Sequence, residues 1–237
     1  VAGVNLDITG FNNTIGSLHG GGATGGNVIL GAATLTTGGN NENTTFGGVI
    51  SGTGGSLTKV GAGAMTLTGT NTYTGSTMVT VGTLVAQAAK ALGDSSSVLV
   101  NGGTLDIRGA TAGTVTLGTN SSFSLSSGTI KLQLGTSFDS LVSSGTGTFT
   151  ITGGTFALDV TGAGFSYANS YAVLSGFGGT NTISGLGFTG YDTTNYTASL
   201  GTDGMLSFAP IPEPATWALI AGAGTFLMVM RRRRGAR

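Results

Sequence analysis

Cysteine is absent from this 237-residue chain, and histidine occurs once, at His19. These two shortages exclude a disulfide framework, a thiol enzyme and a zinc site built from Cys and His. Charged residues make up only 8% of the chain, against about 25% in an ordinary soluble domain. There are only three prolines, and glycine follows no three-residue period, which excludes collagen.

Glycine and threonine dominate what is present, with 46 and 40 residues respectively. So much glycine is wrong for a helical protein. Five of the nine basic residues lie in the last seven positions, so residues 1–230 carry a net charge of −5, from four basic and nine acidic side chains. A body without a basic face does not fit a phosphate backbone, and we expect no nucleic-acid partner.

A short phrase, Gly-Thr followed by alternating apolar and polar residues, recurs along the body. It begins at Gly82, Gly103, Gly128 and Gly154. The alternation predicts strands with one buried face, and the Asn-Gly and Gly-Gly breaks leave an antiparallel meander open as an alternative. The period, together with Thr and Ser on the polar strand faces, favours the coils of a β-solenoid. We therefore predict an all-β solenoid of roughly eight to ten coils over residues 1–209.

The repeat signal is strongest over residues 46–107. Its centre, from Leu57 to Leu84, reads LTKVGAGAMTLTGTNTYTGSTMVTVGTL. This stretch resembles the autotransporter-associated β-strand repeat, with Met65 where leucine is usual. The resemblance implies a right-handed, single-stranded parallel β-helix of an exported bacterial protein. We interpret the repeat as a fold module and not as a sign of self-secretion.

Residues 210–237 form a second unit with a different composition. Three prolines between 210 and 214 predict an extended linker. The uncharged run 215–230 then predicts a short transmembrane helix, marginal in length, with the alternative of a buried C-terminal helix. Its expected anchor residues are Trp217, Leu219, Ile220, Phe226, Leu227 and Val229. The residues expected to hold the C-terminus in the cytoplasm are Arg231, Arg232, Arg233 and Arg234.

Pro-Glu-Pro, an apolar helix and a terminal arginine cluster together resemble the PEP-CTERM sorting tail of Gram-negative surface proteins. The resemblance implies that Pro212, Glu213 and Pro214 are recognised by an exosortase-type membrane protease, which then releases the protein to the surface or medium. A plain anchor behind a proline spacer is the alternative. The chain begins at Val1 without a basic and apolar leader, so we expect that an export signal has been removed.

Charged side chains offer one candidate chemical site. Asp106 and Lys131 hold the same place in successive repeat phrases and are expected to be neighbours on an outer face, close to Arg108. We expect no further carboxylate to join them, and hence a solvent-exposed ion pair, with a polysaccharide-degrading site as the alternative. No cofactor or metal is expected.

Three hypotheses for function follow. The first is a non-enzymatic structural solenoid that offers Thr, Ser and Asn ladders to extracellular polysaccharide or surface proteins. The second is a glycan-binding adhesin, and the third is a β-helix enzyme. Two local expectations accompany them: residues 86–92 form a single helical turn that bulges from one coil and ends at Gly93, and the tyrosine-rich residues 162–208 form the last coils.

Overall fold

The computed structural model describes residues 4–22, 26–109 and 113–212. Within these ranges the chain forms 22 strands joined by turns and no helix. Most strands pair in parallel with the strand about one coil away, so the chain winds as an all-β parallel solenoid. The strands of the coils lie on three faces, which we call faces A, B and C, and two central coils have no strand on face C.

The strands of face A are β2 (Asn13–Ile15), β4 (Thr34–Thr37), β7 (Ser56–Lys59), β9 (Ser76–Val79), the first half of β11 (Ser97–Asp106), the first half of β13 (Ser122–Gln133), β15 (Phe149–Ile151) and β19 (Thr182–Ile183). Face B holds β5 (Thr44–Phe46), β8 (Ala64–Leu67), β10 (Thr83–Ala86), the second halves of β11 and β13, β16 (Thr155–Asp159) and β20 (Gly187–Thr189). Face C holds β1 (Asn5–Asp7), β3 (Asn27–Ile29), β6 (Ile50–Ser51), β12 (Thr114–Thr119), β14 (Ser140–Ser144) and β18 (Leu174–Ser175).

Alternation along each strand builds the core. In β4, β7, β8, β9 and β10 half-buried and buried residues alternate. The inward residues stack in register from coil to coil, for example Leu35 on Leu57, and Val98 on Phe123 on Phe149. Because this register is parallel, the predicted solenoid is confirmed and the meander alternative is wrong for the coils. The right-handed sense of the coil stays a prediction.

The solenoid has about seven turns, fewer than the eight to ten predicted. Coil length grows along the chain. Paired residues are 20 to 22 positions apart in the first coils, but Phe123 pairs with Phe149 and Thr150 with Thr182. Later coils therefore contain more residues than the N-terminal coils, which is why the chain forms fewer coils than predicted.

The helical turn predicted at residues 86–92 does not form. The Ala91 amide donates to the Ala88 carbonyl and the Gly93 amide to the Lys90 carbonyl, both at 3.0 Å, which gives two successive tight turns. Ala91 and Leu92 are fully buried in the core, whereas Gln87 and Ala89 are exposed. Gly93 does adopt the left-handed φ of +62° expected at its position.

An antiparallel sheet accompanies the last coil. It consists of β17 (Tyr171–Ala172), β22 (Met205–Pro210) and β21 (Tyr196–Leu200) in that order. The aromatic rings of this region contact one another, with Tyr167 stacked on Tyr196 at a centroid distance of 3.9 Å and Phe208 edge-on to Tyr167 at 5.2 Å. The tyrosine-rich stretch therefore forms the last coil, as predicted, and also an antiparallel cap, which was not predicted.

The predicted membrane helix lies outside the described residues. Among the residues that the structure describes, no helix has the length and apolar character needed to cross a membrane.

Candidate interaction surface

Hydroxyl side chains form two rows on the outside of face A. Successive residues of a strand point to opposite sides, so the positions that flank each inward apolar residue face outward. The first row, aligned by strand pairing, is Thr34, Ser56, Ser76, Ser97 and Ser122. The second row is Thr14, Thr36, Thr58, Met78, Leu99, Ser124, Thr150 and Thr182. We call these two rows the hydroxyl face.

Most of these hydroxyls have free hydrogen-bonding capacity. In the first row, Ser56 Oγ accepts a hydrogen bond from the Ser76 amide at 3.0 Å. Within the described ranges, the second-row hydroxyls of Thr36, Thr58 and Ser124 bond to no protein atom. All five residues are half-buried, so their hydroxyls are held by the sheet and open to solvent.

A charged cluster occupies the corner between faces B and C. Arg108 holds Asp106 in a bidentate ion pair, with Nε 3.0 Å from Oδ1 and Nη2 2.9 Å from Oδ2. The Asp159 carboxylate lies 3.9 Å from Nη1 of the same guanidinium. The Asp106 hydrogen bond, more than any other contact, raises the pKa of Arg108.

Asp139 is the buried member of this cluster, with 4% of its surface exposed. Its Oδ2 accepts a hydrogen bond from the Gln133 amide at 2.7 Å, which closes the loop between these two residues. Loss of hydration raises the pKa of Asp139 to about 6, and the charges of Asp106 and Asp159 add to the rise, whereas the Gln133 amide and Arg108 oppose it.

Asp106 and Lys131 are in register on adjacent coils, as predicted. The expected solvent-exposed ion pair is wrong, because Asp106 is only 8% exposed and its ion pair is with Arg108. The expectation that no other carboxylate joins them is wrong, since Asp139 and Asp159 do. Asp159 could have been found from its place five residues after Gly154 in the repeat phrase, whereas Asp139 follows a loop and has no repeat position. In the described part of the chain, no three acidic or histidine side chains converge as metal ligands.

Lys59, which lies within the repeat, is a buried cation that the repeat pattern did not single out. Its side chain points inward, with 1% of the residue exposed. Nζ donates to the carbonyl oxygens of Val60 at 2.6 Å, Gly61 at 2.8 Å and Val81 at 3.4 Å. Burial lowers the pKa of Lys59. The ammonium group therefore ties together two coils at the corner between faces A and B.

Of the predicted sorting residues, only Pro212 is described, and it is exposed. It lies two residues after the end of β22, and the Ile211 amide between them donates to the Asn195 carbonyl at 2.7 Å. Glu213, Pro214, the six predicted anchor residues and Arg231–Arg234 lie outside the described residues.

Comparison with known proteins agrees with this architecture. Residues 57–86 match the passenger-associated-transport-repeat family. Over 121 residues, 46% of this chain, the sequence is 40% identical to the adhesin BmaC autotransporter of Brucella suis biovar 1 (strain 1330), and the chain spans about 4% of the length of that relative. No solved structure matches the chain. The chain is therefore a parallel β-solenoid whose repeats are similar to those of an autotransporter adhesin.

Proposed function

We propose that this chain is an exported bacterial surface or extracellular-matrix solenoid whose role is adhesive and mechanical, not enzymatic. The observation that carries the proposal is the similarity of its repeats to an autotransporter adhesin, on a fold that is a parallel solenoid throughout its coils. Such a fold holds side chains at fixed spacing over a long surface. Adhesion needs that regularity and no single reactive residue.

A second part of the proposal concerns delivery. The tail 210–237 acts as a transient inner-membrane anchor, recognised at Pro212–Pro214 by an exosortase-type protease that releases the solenoid outward. The arginine cluster after the uncharged run supports this orientation. The exposure of Pro210 and Pro212 also supports it, because the linker leaves the cap at the protein surface, where a protease can reach it.

Adhesion is tested with host cells that express the full chain and with cells that lack it. We expect the expressing cells to be retained more strongly on surfaces coated with extracellular matrix from the same host. Equal retention of the two strains would contradict the adhesive role.

Delivery is tested by the intact mass of the protein recovered from the surface or medium of its native host. We expect the loss of a C-terminal piece that begins near Pro212. A full-length chain retained in the inner membrane would contradict sorting and reduce the tail to a plain anchor.

The enzymatic alternative has a weaker basis in the geometry. Both carboxylate oxygens of Asp106 accept hydrogen bonds from Arg108, and the residue is only 8% exposed. This arrangement is suited to bracing a corner. The enzyme hypothesis requires a polysaccharide-degrading activity that Asp106→Ala abolishes.

A further inference from the structure

The hydroxyl face is long. Its second row contains one residue from each of the eight strands of face A, from Thr14 to Thr182. At about 4.8 Å between paired strands, seven intervals span about 34 Å. The two rows lie about 6.6 Å apart, because alternate residues of a strand are separated by two steps of about 3.3 Å. The surface is thus a two-row lattice aligned with the axis of the rod.

The groups on this lattice fit a sugar polymer. Each hydroxyl both donates and accepts hydrogen bonds, as sugar hydroxyls do, and those of Thr36, Thr58 and Ser124 have no partner among the described residues. Met78 and Leu99 lie next to each other in the middle of the second row. They supply an apolar strip against which the C–H face of a sugar ring can pack.

The hydroxyl face differs from face B in the charge of its outward side chains. No residue of either hydroxyl row is charged, and Lys59, the charged residue of β7, points inward. Face B carries Asp106 and Lys131 in register on its outer side. The hydroxyl face has no cation that could pair with the charges of an acidic polymer, whereas an uncharged polymer needs no such partner.

We infer that the hydroxyl face binds an uncharged, extended polysaccharide that lies along its two rows. The inference rests on the proposed adhesive function and names its partner class. Each hydroxyl contact is weak in water, but the repeat makes the contacts simultaneous, so affinity grows with the length of polymer engaged. Long chains should therefore bind far better than short oligosaccharides of the same sugar.

The experiment compares two matched double variants of the full chain. Thr58→Glu with Ser124→Glu places two charges on the hydroxyl face, three coil steps apart. Thr83→Glu with Thr155→Glu places two charges on face B, at half-buried positions with the same separation. Binding is measured by retardation in gels that contain hydroxyethyl cellulose, with alginate as the acidic polymer, and circular dichroism checks that each variant keeps its β structure.

We expect the unmodified chain and the face B variant to be retarded by hydroxyethyl cellulose, and the hydroxyl-face variant to bind at least tenfold more weakly. Equal losses in both variants, or retardation by alginate alone, would overturn the inference. The adhesion assay separates the two claims. If expressing cells adhere but the chain binds no neutral polymer, the partner class is wrong and the adhesive role stands. If they do not adhere, the proposed function itself fails.

Discussion

At the scale of single residues, buried polar atoms differ in whether they have a partner. The Thr77 hydroxyl is bonded to Tyr73 Oη at 2.7 Å and to Ser95 Oγ at 2.8 Å. Thr37 lies inward on the same face, 1% exposed, and its hydroxyl has no partner within the described residues. A buried polar group without a hydrogen bond costs about 1–3 kcal/mol. The two threonines therefore make opposite contributions to stability.

Replacing Thr37 by valine removes the unpaired hydroxyl and keeps the shape of the side chain. We expect Thr37→Val to raise the free energy of unfolding by about 1 kcal/mol. Thr77→Val is the matched control and is expected to lower it by about 1–3 kcal/mol, because Tyr73 and Ser95 lose a partner. Urea unfolding of the three proteins measures both changes, and a loss of stability in Thr37→Val would contradict the assignment.

Asp139 gives stability a specific dependence on pH. Its pKa is raised from 3.8 to about 6 in the folded protein, so between these values the folded state holds a proton that the unfolded chain has released. Stability from this group is therefore present below about pH 4 and is lost as pH rises through 6. At 1.36 kcal/mol per pKa unit the loss is at most about 3 kcal/mol.

Asp139→Asn should remove this loss, since an amide oxygen can still accept the Gln133 hydrogen bond. We expect the variant and the unmodified protein to differ little near pH 4, and the variant to be the more stable at pH 7. Chemical unfolding across this range measures the difference. The lowered pKa of Asp159 acts in the opposite sense but only at lower pH, as its carboxylate protonates. A constant difference between the two proteins from pH 4 to 7 would exclude the role given to Asp139.

At the scale of elements, the corners depend on glycine. Gly61 has a φ of +68°, and a Cβ atom there would overlap the carbonyl oxygen of Gly38 in the preceding coil. Gly10 has a φ of +87° but open space around the Cβ position. The two sites share an unfavourable φ for other residues, and only Gly61 is also tightly packed.

This contrast predicts the cost of adding one methyl group. Gly10→Ala should lower the free energy of unfolding by about 1–2 kcal/mol, the cost of a left-handed φ. Gly61→Ala should cost about 1–3 kcal/mol more, because the coils must also shift. Thermal and urea unfolding measure both, and similar losses would show that packing between these coils is loose.

The sequence was a good predictor of where strands form and a poorer one of how those strands pair. Alternation and the repeat phrase were enough for the parallel coils, since inward residues such as Met65, Leu84 and Leu105 recur in register. The same alternation in Tyr196–Leu200 and Met205–Pro210 does not distinguish parallel from antiparallel pairing, so the cap was missed. The hydroxyl rows follow from Ser and Thr at alternate positions. The charged corner does not, because Asp139 is brought to Arg108 by a loop outside the repeat.

At the scale of the whole molecule, each coil contacts mainly its neighbours. In such a linear array a local change weakens nearby units and leaves distant ones unaffected. Phe208 packs its ring against Phe165, Tyr167, Tyr171 and Tyr191 in the cap. Phe46 is buried at the other end of the described solenoid.

Phe208→Ala should therefore speed amide hydrogen exchange in β17, β21, β22 and the last coil, and leave the coils before β11 unchanged. Phe46→Ala is the control and should speed exchange around β5 and β8 without affecting the cap. Mass spectrometry of peptide fragments measures both patterns. Faster exchange along the whole chain in either variant would show that the solenoid unfolds as one unit.

The hydrogen bonds between coils run parallel to the long axis of the rod. A pulling force applied along that axis, as on a tethered cell in flowing liquid, therefore acts directly on these bonds and detaches the outermost coil first. Each early coil holds 20 to 22 residues, so its release adds on the order of 70 Å of extended chain. The protein would lengthen in steps and dissipate the load one coil at a time, while the coils that are still folded remain bound to the surface.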